Sequence, residues 1–386
     1  MSADHGFATV ASVVFALGAA LPACGARTGL PVGQPDADAA PPPVDASNVV
    51  DATACTGTSV PVAPNVPNLY FVLDTSRSMA EAVATSAGQT GQSKWVNVRA
   101  AVANLIFDLG PSAQFGATVF PAPAVPDQCA PGVQVMALRP GDAFGATRDA
   151  FLAATAALTP NGGTPTAATF VALEPMLANP DSPTYVILAT DGGPNCDRSP
   201  NISCTIDQCT NNIDGVGPCT PTGPMNCCTR AAAGPVGCLD TTATANAIGA
   251  LHTAGVKTYV MGIPGSAPYA SVLDQMALAG GTARAAEPLY YRVDTADTAA
   301  LGSTFAQIAA EAMKSCVLTL ERAPRDPGAL NVYVDGAVVP SDGANGWSVQ
   351  GRKVTLEGAS CASIQGGMGA AGAPTVRVLE GCPTVH

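Results

Sequence analysis

Three short stretches of this sequence concentrate side chains able to hold an ion. Asp74-Thr75-Ser76-Arg77-Ser78 follows directly on the apolar run 69–73, Gly163-Thr164 precedes a helical pattern, and Asp191-Gly192 follows the apolar run 184–189. Their polar atoms are carboxylate and hydroxyl oxygens, the donors that hard cations prefer to nitrogen or sulfur. Taken singly, each stretch has an ordinary reading, because Asp and Ser after a strand serve as helix caps and turn formers. Little else could run a reaction. The three histidines are His5 in the leader, His252 inside a helical pattern and His386 at the last residue. General-base chemistry and zinc ligation are therefore short of their usual side chain. No Gly-rich phosphate loop ending in Lys-Ser/Thr occurs. Asp142, Asp149, Glu174, Asp274 and Glu311 lie in helical patterns and read as solvated faces or caps, and Trp95 and Trp347 read as packing anchors.

Charge excludes two classes of partner. Acids outnumber bases by 29 to 17, the net charge is −12, and no basic run occurs, so neither nucleic acid nor an anionic lipid surface finds a polybasic patch. The N-terminus reads as a targeting segment. Its apolar stretch 7–20 runs into Leu21-Pro22-Ala23-Cys24, which resembles the lipobox of bacterial lipoproteins. The resemblance implies a signal peptide over 1–23, a lipid on the Cys24 thiol as the only membrane attachment, and residence in the bacterial cell envelope at the outer membrane, on its periplasmic or surface side. The alternative is an ordinary cleaved signal with Cys24 as half of a disulfide. Setting Cys24 aside leaves 12 of the 13 cysteines, an even number that fits disulfides in an oxidising compartment. Zinc is the rival for such a cluster, but the spacings Cys204-x4-Cys209, Cys219-x7-Cys227 and Cys228-x9-Cys238 contain no Cys-x2-Cys pair.

The positioning elements follow from patterning. Residues 24–67 are rich in Pro, Ala and Asp and predict a disordered tether. Between 69 and 314 apolar runs at 69–73, 115–120, 184–189, 256–263 and 289–293 alternate with helical patterns at 94–109, 142–158, 166–177, 241–253, 269–278 and 297–314. Such alternation predicts an α/β fold with a mostly parallel, doubly wound sheet covered on both faces, and 133–138 forms a hairpin with 115–120. A Cys-, Pro- and Gly-rich insertion interrupts the alternation at 195–238. From 316 to 386 the character changes to short runs at 317–320, 331–334, 347–350, 353–356 and 375–378, a small all-β module with a structural role.

With the elements in place, the three stretches together resemble the von Willebrand factor A family over about residues 67–314, a domain set here at 68–315. The resemblance rests on the Asp-x-Ser-x-Ser pattern of Asp74, Ser76 and Ser78, then Gly163-Thr164, then Asp191-Gly192, in that order. It implies a Rossmann-like fold with a metal-ion-dependent adhesion site. Ser76 and Ser78 would bind the ion directly, Thr164 directly or through water, and Asp74 and Asp191 mainly through water while supplying charge. Mg²⁺ is the expected ion, with Ca²⁺ or Mn²⁺ open. Neutral hydroxyls leave the ion electrophilic, so an acidic group of a protein partner can fill its open position; that is binding chemistry, and no enzyme is implied. The competing readings are an envelope-assembly lipoprotein whose metal only stabilises loops and, further off, a metal-dependent hydrolase. Hydroxyl-rich ligation and the lack of a usable histidine or nucleophile motif count against the hydrolase.

In a doubly wound sheet ligands bind beyond the carboxyl ends of the strands, so an insertion starting four residues after Asp191 emerges on the metal face. It is either a rigid rim that shapes access to the metal or a decoration that only stabilises its loop. Its seven cysteines and the five elsewhere in the mature chain are both odd counts, so full pairing requires a bridge between them. Cys129 lies in the hairpin turn on the same face and is expected to bond with an insertion cysteine, Cys196 foremost. Cys361 is expected to bond with Cys382 or Cys316.

Overall fold

The first described residues depart from expectation. Thr58–Val60 (β1) and Val62–Ala63 (β2) are strands, although the segment was expected to belong to a tether ending at residue 67. The computed structural model describes residues 57–63, 66–84, 90–197, 204–229, 234–314, 316–341, 343–365 and 374–386. The expected signal peptide, Cys24 and the tether up to residue 56 lie outside them. β1 pairs with the C-terminal strand and β2 with another sheet. Pro61 stands between them, where a missing N–H ends one ladder and lets the chain cross to the next. Five β-branched and small residues inside a Pro-rich stretch are too few to move its average composition.

The central sheet grows from β3 (Asn68–Asp74), in which every residue is buried. Leu69, Phe71 and Leu73 point into one core, Tyr70 and Val72 into the other. A continuous apolar run is thus what a strand covered on both faces requires. After a short hairpin, β4 (Ala82–Ala84) and β5 (Thr90–Ser93), the chain enters α1 (Lys94–Leu109). There the Ser93 hydroxyl caps the first turn by accepting from Val96 N–H at 3.3 Å. β6 (Gln114–Phe120), β7 (Val133–Pro140), α2 (Ala146–Ala154), α3 (Thr166–Leu177) and β8 (Thr184–Thr190) follow. The short α4 (Thr210–Ile213) lies in the insertion, and α5 (Thr241–Thr253), β9 (Val256–Gly262), α6 (Ala270–Ala279), β10 (Tyr291–Arg292) and α7 (Thr298–Ala312) complete the region.

The strand order is β10-β9-β8-β3-β6-β7. All neighbours are parallel except β7, which runs antiparallel to β6. Helices α1, α2 and α7 contribute to the core on one face, α3, α5 and α6 to the core on the other. The fold class is therefore α/β, doubly wound, as expected. Helix α2 is shorter than the 142–158 of the sequence pattern. The Asp142 carboxylate accepts backbone N–H bonds from Phe144, Ala146 and Thr147, and Gly145 takes φ +84°, so the residues before Ala146 form a capping loop.

The C-terminal module comprises β11 (Val317–Leu320), β12 (Leu330–Val334), β13 (Ala337–Val339), β14 (Trp347–Gln350), β15 (Lys353–Leu356), α8 (Gly358–Gln365) and β16 (Val376–Glu380). Two antiparallel sheets, β1-β16-β12-β13 and β14-β15-β11-β2, share a core of Val60, Leu318, Leu320, Leu330, Val332, Trp347, Val354, Leu356 and Val378. Trp347 anchors that core and donates its indole N–H to Val339 C=O at 2.9 Å. Val60→Asp should lower the module's stability by about 3 kcal/mol or more, because it buries an unpaired carboxylate. Denaturant unfolding followed through Trp347 in a Trp95→Phe background checks this; an unchanged transition would return residues 57–63 to the tether.

Candidate metal centre

Topology alone marks one place on this sheet. Doubly wound sheets leave a crevice beyond the carboxyl ends of the two strands where the winding reverses. Here those strands are β3 and β8, since the chain runs outward from them in both directions. Asp74 is the last residue of β3 and Asp191 the first beyond β8.

Around that point the side chains form one hydrogen-bonded cluster. The Asp74 carboxylate is 0% exposed and accepts from Ser76 N–H at 2.7 Å and from the Thr190 hydroxyl at 2.6 Å. The hydroxyls of Ser76 and Ser78 lie 3.2 Å apart, and Ser78 donates to Asp191 at 2.7 Å. A 3-10 turn over Arg77–Ala80 sets this spacing. Thr164 is brought alongside through the main chain. Arg77 N–H donates to Gly162 C=O at 3.2 Å and Asn161 N–H to Thr75 C=O at 2.8 Å. Thr164 N–H then donates to the Asn195 side chain at 2.7 Å, and Asn195 N–H returns a bond to Thr164 C=O at 3.0 Å.

Three participants escaped the sequence reading. Thr190 holds Asp74 from inside β8. Lys94, the first residue of α1, donates from its ammonium to Asp191 at 2.8 Å and to Glu81 at 2.6 Å. A Gln-Ser-Lys helix start carries no signal for either contact, and 97 positions separate Lys94 from Asp191.

The electrostatics invite positive charge. Burial, reinforced by the charge of Asp191, pushes the Asp74 carboxyl up to about 7. Burial also raises Asp191, against the pull of Lys94. Burial opposes the charge of Lys94, but Asp191 and Glu81 together outweigh it and hold the ammonium above its ordinary range. Two buried carboxylates beside the hydroxyls of Ser76 and Ser78, with Thr164 in the adjoining loop and no nitrogen or sulfur donor among the five side chains, fit a hard divalent cation. Among the described residues one other group has metal-binding side chains, Cys204, Cys228 and Cys238. All three are disulfide-bonded, so no thiolate is available there.

The insertion is built by its bridges. Cys204–Cys238, Cys209–Cys228 and Cys219–Cys227 close within it, so adjacent Cys227 and Cys228 take different partners. The buried Asn212 serves in place of an apolar core, donating to the carbonyls of Thr220 and Met225 and accepting from Cys227 N–H. Cys129 bonds to Cys196 and joins the insertion to the turn between β6 and β7. Gly163 belongs to this arrangement: a Cβ there would come within 2.7 Å of the Cys196 sulfur. In the module Cys316 bonds to Cys361, one of the two pairings left open, and Cys382 is disulfide-bonded as well.

No protein-family model matches the chain, and no curated protein matches it. Among solved structures, the pilus adhesin SpaC of Lactobacillus rhamnosus GG is 17% identical over 83% of this chain, which spans 40% of that protein, with a TM-score of 0.42. The PilB minor pilin of Streptococcus sanguinis is 16% identical over 64% of this chain and 61% of its own length, with a TM-score of 0.42. The vWF domain of the type V pili tip protein Mfa5 of Porphyromonas gingivalis is 12% identical over 64% of this chain and 95% of its own length, with a TM-score of 0.40. This chain thus spans less than two thirds of the SpaC and PilB structures, and at such scores the likenesses add nothing to the site's own geometry.

Proposed function

We propose that this chain is a von Willebrand factor A-type binding module of the bacterial envelope. It would capture an acidic group of a protein partner through a divalent cation, Mg²⁺ foremost, held by Asp74, Ser76, Ser78, Thr164 and Asp191. One observation carries the reading: the single cluster that joins Asp74, Ser76, Ser78 and Asp191 where the winding of the sheet reverses. When bound, the cation supplies an electrophilic centre with a position for an outside oxygen. The chain's own residues set that character. Neutral hydroxyls would quench little of the ion's charge, while Asp74 and Asp191 would balance it.

Binding rather than catalysis fits the remaining side chains. Of the histidines, His252 packs its ring against Gly281 between helices, and His386 meets Ser341 in the module. Neither offers a base at the cluster. Disulfides throughout the insertion support an exported protein, and lipidation at Cys24 is the anchor this reading assigns to it. Among the described residues no helix is long and apolar enough to cross a membrane. The test is capture of Asp- or Glu-bearing peptides by the immobilised chain in Mg²⁺ and in EDTA. Capture lost in EDTA supports the proposal; metal binding without metal-dependent capture leaves the envelope-assembly reading instead.

The site also sets a pH dependence. The Asp74 carboxyl sits at about 7 in the fold against an ordinary value of 3.8. Between those values the folded protein holds a proton that the unfolded chain has lost. Metal-free stability from this group therefore falls as pH rises across that window and levels off above it. An incoming cation needs the ionised form, so Mg²⁺ affinity should rise toward pH 7 and its uptake should release protons below that. Calorimetry at pH 6 in two buffers of different ionisation enthalpy reads the release. Identical heats in both buffers would reject the linkage.

A further inference from the structure

Lys94 is an unusual side chain for its place. It opens helix α1, the end where the helix dipole disfavours a cation. Its side chain is only 9% exposed, while that of Asp191 is 0% exposed and that of Glu81 is 65% exposed. The ammonium occupies one Asp191 oxygen and the Ser78 hydroxyl the other, so both oxygens of that carboxylate are taken. The turn after β9 closes behind it: a Cβ on Gly265 would lie 3.1 Å from the Lys94 nitrogen. The cluster therefore contains one fixed positive charge of its own, placed against a carboxylate that a divalent cation also needs.

Resting on the metal reading above, we propose that Lys94 is a built-in counter-cation that competes with the divalent ion for Asp191 and sets the metal affinity of the site. Glu81 is the second carboxylate, which keeps the ammonium when the ion arrives. Without metal, Lys94 balances the charge of the buried Asp191 and ties the start of α1 to the loop after β8. A bound dication would weaken the ammonium's bond to Asp191 and leave its bond to Glu81 in place. The consequence is a site that stays assembled without its ion and fills only when the ion is abundant.

The experiment compares the full chain with Lys94→Met, Lys94→Arg and Glu81→Gln. Mg²⁺ binding is measured by calorimetry and thermal melting in EDTA. Lys94→Met should bind Mg²⁺ about tenfold more tightly or better, since a unit charge beside the dication is removed, and should melt lower in EDTA. Lys94→Arg keeps the charge in a larger, planar head group, so it should show none of the tightening expected of Lys94→Met. Glu81→Gln leaves the ammonium to Asp191 alone, so its affinity should fall. A merely structural role would make Lys94→Met bind more weakly. Folded Lys94→Met with unchanged or weaker affinity overturns the proposal, and the metal reading survives if Asp74→Asn still abolishes binding. If neither wild type nor Lys94→Met takes up Mg²⁺, both fall. If Lys94→Met does not fold in EDTA, Glu81→Gln decides, with unchanged or tighter binding overturning the proposal.

Discussion

Asp74→Asn is expected to abolish Mg²⁺ binding and at the same time leave the metal-free protein at least as stable as wild type above pH 7. The two effects have one cause. Losing a carboxylate about 5 Å from a dication forfeits about 4 kcal/mol even with strong screening, a roughly thousandfold loss of affinity. Without metal, however, that carboxylate is a liability. It is 0% exposed, its ionisation is resisted by burial and by Asp191, and an amide of the same shape can still accept from Ser76 N–H. Asp191→Asn should behave differently. It too should lose Mg²⁺, but it strands the buried Lys94 ammonium with Glu81 as its only carboxylate, so stability in EDTA should drop by about 3 kcal/mol, the low end for a broken buried ion pair. Melting each variant with and without Mg²⁺ separates the cases. A wild-type-sized Mg²⁺ shift in Asp74→Asn would remove the metal site.

The second large effect is expected from Cys129→Ser with Cys196→Ser. The bridge fixes the start of the insertion beside Gly163, and the neighbouring Asn195 clamps Thr164 by two hydrogen bonds. Freeing the bridge loosens that clamp without touching any of the five oxygen-bearing residues. Outer supports of metal ligands are worth about 10–100-fold in affinity, and a loss in that range is expected. The other three insertion bridges should stay intact, because each closes within the insertion. Calorimetry on the double variant, with the bridges checked by non-reducing peptide mapping, reads the effect. Unchanged affinity would show that Thr164 does not depend on the insertion.

These expectations depend on features that differ in how well the sequence announces them. Strands β3 and β8 are legible because a strand buried on both faces must be apolar throughout, and Asp74 and Asp191 are legible because each stops such a run. The Cys129–Cys196 pair is legible from two odd cysteine counts and from the face on which the β6–β7 turn must lie. Strands β1 and β2 are not, since Val60 acquires its meaning only from pairing with β16, over 300 residues away. Lys94 and Glu81 are equally silent, because nothing local distinguishes a buried ammonium from a solvated one. Asn212 looks like any loop asparagine until its side chain is seen to bridge the main chain around it. What the sequence hides here is long-range pairing of common residue types.

A cation held by these particular oxygens is tested most directly with Mn²⁺, because it scatters anomalously. Crystals of the chain grown in saturating Mn²⁺ should show one strong anomalous peak bonded to the hydroxyls of Ser76 and Ser78, at metal–oxygen distances of about 2.2 Å, with Asp74 and Asp191 behind it. A peak elsewhere on the molecule, or none at saturation, would contradict it.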